Sequence, residues 1–203
     1  MNKITLIVVD PQYDFIEGGK LPVKGGTKAL DNVVDLINSG KVGQVITTQD
    51  WHFGGHESFI NFGGDFPEHC VENTHGAKIY DPIMKAIYAN NIYYIDYYKG
   101  HYSEEFSAFH EVKGDYSDYI DIRASNAKNE ECEYVLTFSK DETVVVCGLA
   151  GDICVLNTLK ALKPLGQLYV YLDGVASLDD GTTLKEYMLE NHIYNYGTEF
   201  VRH

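Results

Sequence analysis

The chain of 203 residues is 44% hydrophobic and 23% charged, which suits a single α/β domain spanning residues 1–203 with a sizeable core. Its formal net charge of −14 argues against nucleic acid or an anionic membrane as partner, since both would be repelled, and favours a small neutral or metal-bound ligand. No stretch nears the ~18 apolar residues of a membrane span, no signal-peptide cleavage pattern is visible, and the 4 cysteines lack C-x-x-C spacing, so they read as reduced thiols of a cytoplasmic protein.

Residues 3–9, KITLIVV, predict a first buried strand that proline ends at Asp10-Pro11. Asp10 thus stands at a strand's carboxyl end, the place from which open parallel sheets meet their ligands; the alternative is an aspartate that caps the turn. Residues 15–27 form a glycine-rich loop without a phosphate-binding pattern. Residues 28–38 follow with Ala29, Val33, Leu36 and Ile37 in helical register. A second strand over residues 41–48 ends at Gln49-Asp50, again with a carboxylate at its end.

The next stretch, DWHFGGHESFINFGGDFPEHC, places Asp50, His52, His56 and His69 in one loop-like segment. Asp50 and His52 are two apart, on one face of an extended backbone, and His69 can fold back as a third ligand. One carboxylate with two imidazoles leaves open positions for water or substrate and suits Zn, Fe or Mn better than Ca. His56, His75 and Cys70 are bystanders or alternative ligands.

A short helix over residues 81–90 precedes a third strand over residues 92–97, after which comes Lys99. A lysine there is either solvated or, held near a thiol and a carboxylate, a charge that favours thiolate. The pattern weakens over residues 110–129, to which no element is assigned, and residues 132–138 are expected to be helical. Residues 143–162, TVVVCGLAGDICVLNTLKAL, organise the chain: a buried strand, a turn permitted by Gly148 and Gly151, and a helix with Asp152 as N-cap. Cys154 is expected in that helix's first turn, where the helix terminus favours thiolate and free N–H groups can hold an oxyanion; otherwise it is a small buried hydrophobe. A strand over residues 167–172, a helix over residues 182–190 and an edge strand over residues 193–196 complete the chain. The alternation predicts a mostly parallel sheet of about six strands with helices on both faces.

VVDPQYDF, DWHFGGHESF, FPEHC, VENTHGAKI, KGHYSEEFSAF and CGLAGDICV occur in this order. Together they make the chain similar to the nicotinamidases, pyrazinamidase-like members of the isochorismatase-like cysteine hydrolases, over nearly its whole length. The resemblance implies a Rossmann-like three-layer fold and hydrolysis of nicotinamide to nicotinate and ammonia through a cysteine thioester. It implies an Asp10–Lys99–Cys154 catalytic triad and an oxyanion hole from the N–H groups of Ala150 and Cys154, with a cis peptide between Leu149 and Ala150. It also implies one divalent metal, zinc before iron or manganese, on Asp50, His52 and His69, and substrate stacking on Phe15 and Phe66. The partner implied is a small-molecule amide, with homo-oligomerisation left open. Two departures stand out: Phe66 replaces the usual tryptophan, and the elbow reads Ala-Gly-Asp where Ala-Thr-Asp is common. The rival functions are hydrolysis of another small amide or ureide by the same triad, and a non-catalytic α/β protein with a structural metal.

Overall fold

The structure, a computed structural model, describes residues 3–125 and 134–197. Its strands are β1 (Ile4–Val9), β2 (Val42–Asp50), β3 (Tyr93–Lys99), β4 (Phe109–Asp115), β5 (Tyr119–Ala124), β6 (Tyr134–Ser139), β7 (Val144–Leu149), β8 (Leu168–Ala176) and β9 (Tyr194–Asn195). Between them lie the helices α1 (Gly26–Asn38), α2 (Asp81–Ala89), α3 (Leu156–Leu162) and α4 (Thr182–Glu190). Six strands form one parallel sheet of order β3-β2-β1-β7-β8-β9. This is the parallel α/β architecture of about six strands that the alternation of elements predicts.

The apolar runs of β1 and β7 are continuous because both faces of the sheet are covered. Leu6 and Val8 point into the core beneath α1 and α2, with Leu30, Val33, Ile83 and Ile87. Ile7 and Val9 point to the opposite core, which holds Val155 and Leu159, and Leu184 of α4. Each fully buried aliphatic side chain contributes about 1.5–3 kcal/mol, so the central strands, buried on both faces, anchor the two cores. At Gly148 (φ +118°) a Cβ would fall 2.1 Å from the Val9 carbonyl oxygen, so only glycine lets β7 lie this close to β1.

Residues 110–129, left unassigned from sequence, contribute β4 and β5 to a second, antiparallel sheet of order β4-β5-β6. The helix expected over residues 132–138 is corrected: residues 134–138 belong to β6, whose buried Leu136 and Phe138 alternate with exposed Val135 and Thr137. Cys132 lies outside the described residues. This small sheet packs Phe109, Ile120, Ile122 and Phe138 against the core on the α3 side.

Candidate active site and metal centre

The chain leaves β1 for β2 on one side, and β7 pairs with β1 on the other, so a crevice opens at the carboxyl ends of β1 and β7. Asp10 follows the last residue of β1, Asp50 ends β2, Lys99 ends β3 and Cys154 lies shortly beyond β7. Four neighbouring strands therefore deliver four reactive side chains to one edge, and the register pairs Asp50 directly with Lys99.

Lys99 is fully buried at the centre of this group. Its ammonium lies 3.0 Å from Asp10 Oδ2, is bonded to Asp50 Oδ1, and donates to Cys154 Sγ at 3.7 Å. Burial alone would pull the Lys99 pKa down, but the Asp10 and Asp50 carboxylates outweigh it and hold the ammonium well above its ordinary range. Burial also tends to raise the Asp50 carboxyl, yet Lys99 and then the neighbouring imidazoles keep it ionised, below the usual carboxylate range. Asp10 goes the other way: burial pushes it up, with Lys99 opposing.

Asp10 has its backbone in the left-handed region (φ 47°), a conformation costing a non-glycine residue about 1–3 kcal/mol. Thr48 holds it there. Its carbonyl accepts the Asp10 N–H at 3.1 Å, and its hydroxyl donates to Asp10 Oδ1 at 2.7 Å. Oδ2 is left without an aligned donor, and the Cys154 thiol sits within 4.8 Å of the Asp10 carboxylate.

The expected helical setting of Cys154 is corrected. Cys154 does not lie in the first α-helical turn: Gly151–Val155 is a π-turn, closed by Val155 N–H on the Ala150 carbonyl at 3.1 Å, and α3 begins only at Leu156. Asp152 does not cap it; its carboxylate accepts the N–H groups of Leu178 and Asp179 instead, at 2.9 and 3.1 Å. Burial pushes the Cys154 thiol well above its ordinary pKa, with Lys99 opposing. Burial thus works against ionisation of a thiol that has the Asp10 carboxylate beside it. The peptide between Leu149 and Ala150 is cis, as the resemblance implies.

Asp50, His52 and His69 are all buried, and one donor atom from each lies within 4.8 Å of the others. His52 Nδ1 is bonded to the Gly100 carbonyl and His69 Nδ1 to the Pro67 carbonyl at 2.8 Å, so each carries its proton there and turns a bare Nε2 inward. Those Nε2 atoms stop 3.6 and 3.9 Å from Asp50 Oδ2, too far for hydrogen bonds and well placed for a cation between them. Burial lowers the His69 pKa, keeping the neutral imidazole that a metal needs. The donor set thus fits a divalent transition metal. His56 differs: its Nδ1 meets Ser58 Oγ at 2.7 Å and accepts the Ser58 N–H at 3.2 Å, and its buried Nε2 lies outside the donor cluster. His75 packs on Tyr13, and neither it nor Cys70 joins the donor cluster.

A cavity of about 500 Å³, counting its open mouth, lies over the thiol and the histidines. Phe15 and Phe66 line it as expected, with Ala150 and Cys154 on one side and His52 and His69 on the other. Leu21, Val23, Ile153 and Leu178 add an aliphatic wall that the sequence reasoning did not assign. It also missed two buried polar braces inside its own motifs. Gln12 clamps Asp50 by accepting its N–H and donating to its carbonyl, both at 2.8 Å, and Asp14 accepts the Cys70 N–H at 2.7 Å. An amide and a carboxylate three and five residues past the end of β1, in the segment VVDPQYDF, are the signal that would have found them.

A family model described as the isochorismatase domain matches residues 5–192. The chain belongs to the isochorismatase family. This family member is 30% identical over 185 residues to the nicotinamidase/pyrazinamidase of Mycobacterium tuberculosis, covering 88% of this chain and 89% of that one. Among solved structures it resembles PnC1 from L. infantum in complex with nicotinate, with a TM-score of 0.70 and 25% identity, covering 95% of this chain and 92% of that one. The pyrazinamidase of Pyrococcus horikoshii in complex with zinc matches with a TM-score of 0.63 and 26% identity over 95% of this chain and 97% of that one. No helix among the described residues of this isochorismatase-family hydrolase is long and apolar enough to cross a membrane.

Proposed function

We propose that this chain is an amidase that hydrolyses nicotinamide to nicotinate and ammonia. The observation that carries the reading is the buried Lys99 ammonium reaching Asp10, Asp50 and Cys154 next to a cavity that Cys154, Asp50, His52 and His69 line together. In this mechanism Asp10 takes the thiol proton as Cys154 Sγ attacks the carboxamide carbon, and Lys99 balances the charge that forms. The raised pKa of Asp10 makes it a stronger base than an ordinary carboxylate, which a buried thiol requires.

The N–H groups of Ala150 and Cys154 hold the tetrahedral oxyanion, each such donor being worth about 10²–10³ in rate. As the C–N bond breaks, Asp10 returns its proton to the departing nitrogen, giving ammonia and a thioester. Water, deprotonated by Asp10, then attacks the thioester carbon, releasing nicotinate and restoring the thiol. Phe15 and Phe66 sandwich the ring. A divalent ion on Asp50, His52 and His69, zinc by analogy with the P. horikoshii relative, supplies a Lewis-acidic position for a ring nitrogen.

The test is ammonia release from nicotinamide by the purified, metal-loaded protein, with benzamide and a panel of small amides and ureides alongside. Turnover of nicotinamide at least tenfold above the rest is expected. Preference for a ureide or an acyclic amide would move the assignment to another hydrolase of the same triad, the reading that Phe66, in place of the usual tryptophan, keeps in play. Absence of any amide hydrolysis would leave only the metal-binding function.

A further inference from the structure

The loop between β3 and β4 contains a carboxylate that the proposed reaction does not use. Glu105 Oε2 accepts the Gly100 N–H at 3.0 Å, while Oε1 accepts from Ser125 Oγ at 2.7 Å and lies 3.0 Å from His110 Nε2. Burial would raise this carboxyl, but the donors from His110, Ser125 and Gly100 hold it below its ordinary range, so it is ionised. His110 belongs to β4 and Ser125 follows β5, so both anchors lie on the small antiparallel sheet.

Gly100 is the junction of the site. Its carbonyl orients the His52 ring through Nδ1, its neighbour is Lys99, and it sits so close under His52 that a Cβ there would come 2.9 Å from the ring. The flanking carbonyls of Lys99 and His101 accept the N–H groups of Trp51 and Phe53, at 3.0 and 2.9 Å, and so tie that side of the turn to the segment after β2. The Gly100 N–H is tied to the small sheet through Glu105.

We infer that Glu105 is a positioning residue, by which the small sheet fixes the Lys99–Gly100 turn and through it aims His52 at the metal position. The inference rests on the metal reading of Asp50, His52 and His69.

The experiment measures the zinc affinity of the full chain by competition with a chromophoric chelator, with kcat and KM for nicotinamide read in parallel. Glu105→Ala should weaken zinc by about 10–100-fold, the usual effect of losing a group that orients a ligand. Glu105→Gln should recover most of the loss, since an amide oxygen still accepts the Gly100 N–H. Ser125→Ala should cost less, about three- to tenfold, because it removes one donor at the far end while His110 Nε2 still holds the carboxylate. If Glu105→Ala lowers the melting temperature but binds zinc like the parent, the carboxylate is only a loop fastener and the inference falls. If that variant does not fold, parental zinc affinity in Ser125→Ala overturns it instead. A parent protein that binds no zinc refutes the metal reading first, and this inference with it.

Discussion

The site has two halves built on different principles. In one, Asp10, Lys99 and Cys154 hang from the ends of β1 and β3 and from the turn after β7, and the register of a doubly covered sheet sets their spacing. In the other, His52 and His69 ride on irregular chain, and each is aimed by one backbone carbonyl acceptor. Asp50 belongs to both, giving Oδ1 to Lys99 and Oδ2 to the imidazoles. A site can therefore take rigidity from strand register where bond-making needs it, and from single hydrogen bonds where binding tolerates adjustment.

Breaking the strand-built half should have the largest effects. Cys154→Ala leaves a folded protein without measurable amide hydrolysis, since alanine fits the buried position and offers no nucleophile; activity within tenfold of the parent would sink the covalent route. Asp10→Asn should lose at least about 10³-fold in kcat, because an amide cannot take the thiol proton. Lys99→Met should abolish turnover and also destabilise by about 3–5 kcal/mol, because it leaves the buried Asp10 and Asp50 charges facing each other. Denaturant unfolding checks this, and a variant as stable as the parent would mean that the ammonium is not the electrostatic centre.

Disturbing the loop-built half should cost less. Chelation should lower nicotinamide turnover by at least tenfold while far-UV circular dichroism stays unchanged and the rate of Cys154 alkylation by a small reagent holds within about twofold. Benzamide, which lacks the ring nitrogen, should bind more weakly than nicotinamide to the loaded protein, and the gap should close when metal is removed. Outright unfolding on chelation would assign the site a structural role.

The smallest effect concerns the segment that carries Phe15 into the cavity. Glu17 accepts the N–H groups of Gly25 and Thr27 at 2.8 and 2.9 Å, serving as cap for α1, and the Thr27 hydrogen bonds draw its pKa down to about 2. A depressed carboxyl stabilises the fold above its unfolded pKa of 4.5, and that contribution fades as the pH falls toward 2. Glu17→Gln should therefore cost about 0.5–1 kcal/mol at neutral pH, a modest figure because the group is solvated. The difference from the parent should vanish near pH 2; a pH-independent difference would assign it to packing.

What was legible in the sequence follows the same division. Asp10 and Asp50 could be placed because each follows a run such as LIVV or QVITT whose burial is unmistakable, and a strand's end fixes where the next side chain goes, whereas the tyrosine-rich strand before Lys99 left a solvated lysine equally open. The small sheet was not legible. In β5 Tyr119, Asp121 and Arg123 alternate with Ile120, Ile122 and Ala124, a half-buried pattern masked by its charges, and register shifts around Val112 and Gly114 interrupt the period in β4. The resting state of Cys154 was hidden for another reason. Whether a thiol ionises depends on how deeply three neighbouring strands bury it, and no property of the AGDICV segment reports that.

The backbone contact at Gly148 bears on how such a protein changes over generations. With no room for a side chain between the Val9 carbonyl and β7, the spacing of the two strands that lead to Asp10 and to Cys154 is set there by main chain, and Gly148 is closed to gradual substitution. Leu21, Phe66, Ile153 and Leu178 carry no such constraint. On the proposed reading, the rim could be altered one residue at a time to admit other substrates without disturbing the spacing of these two strands.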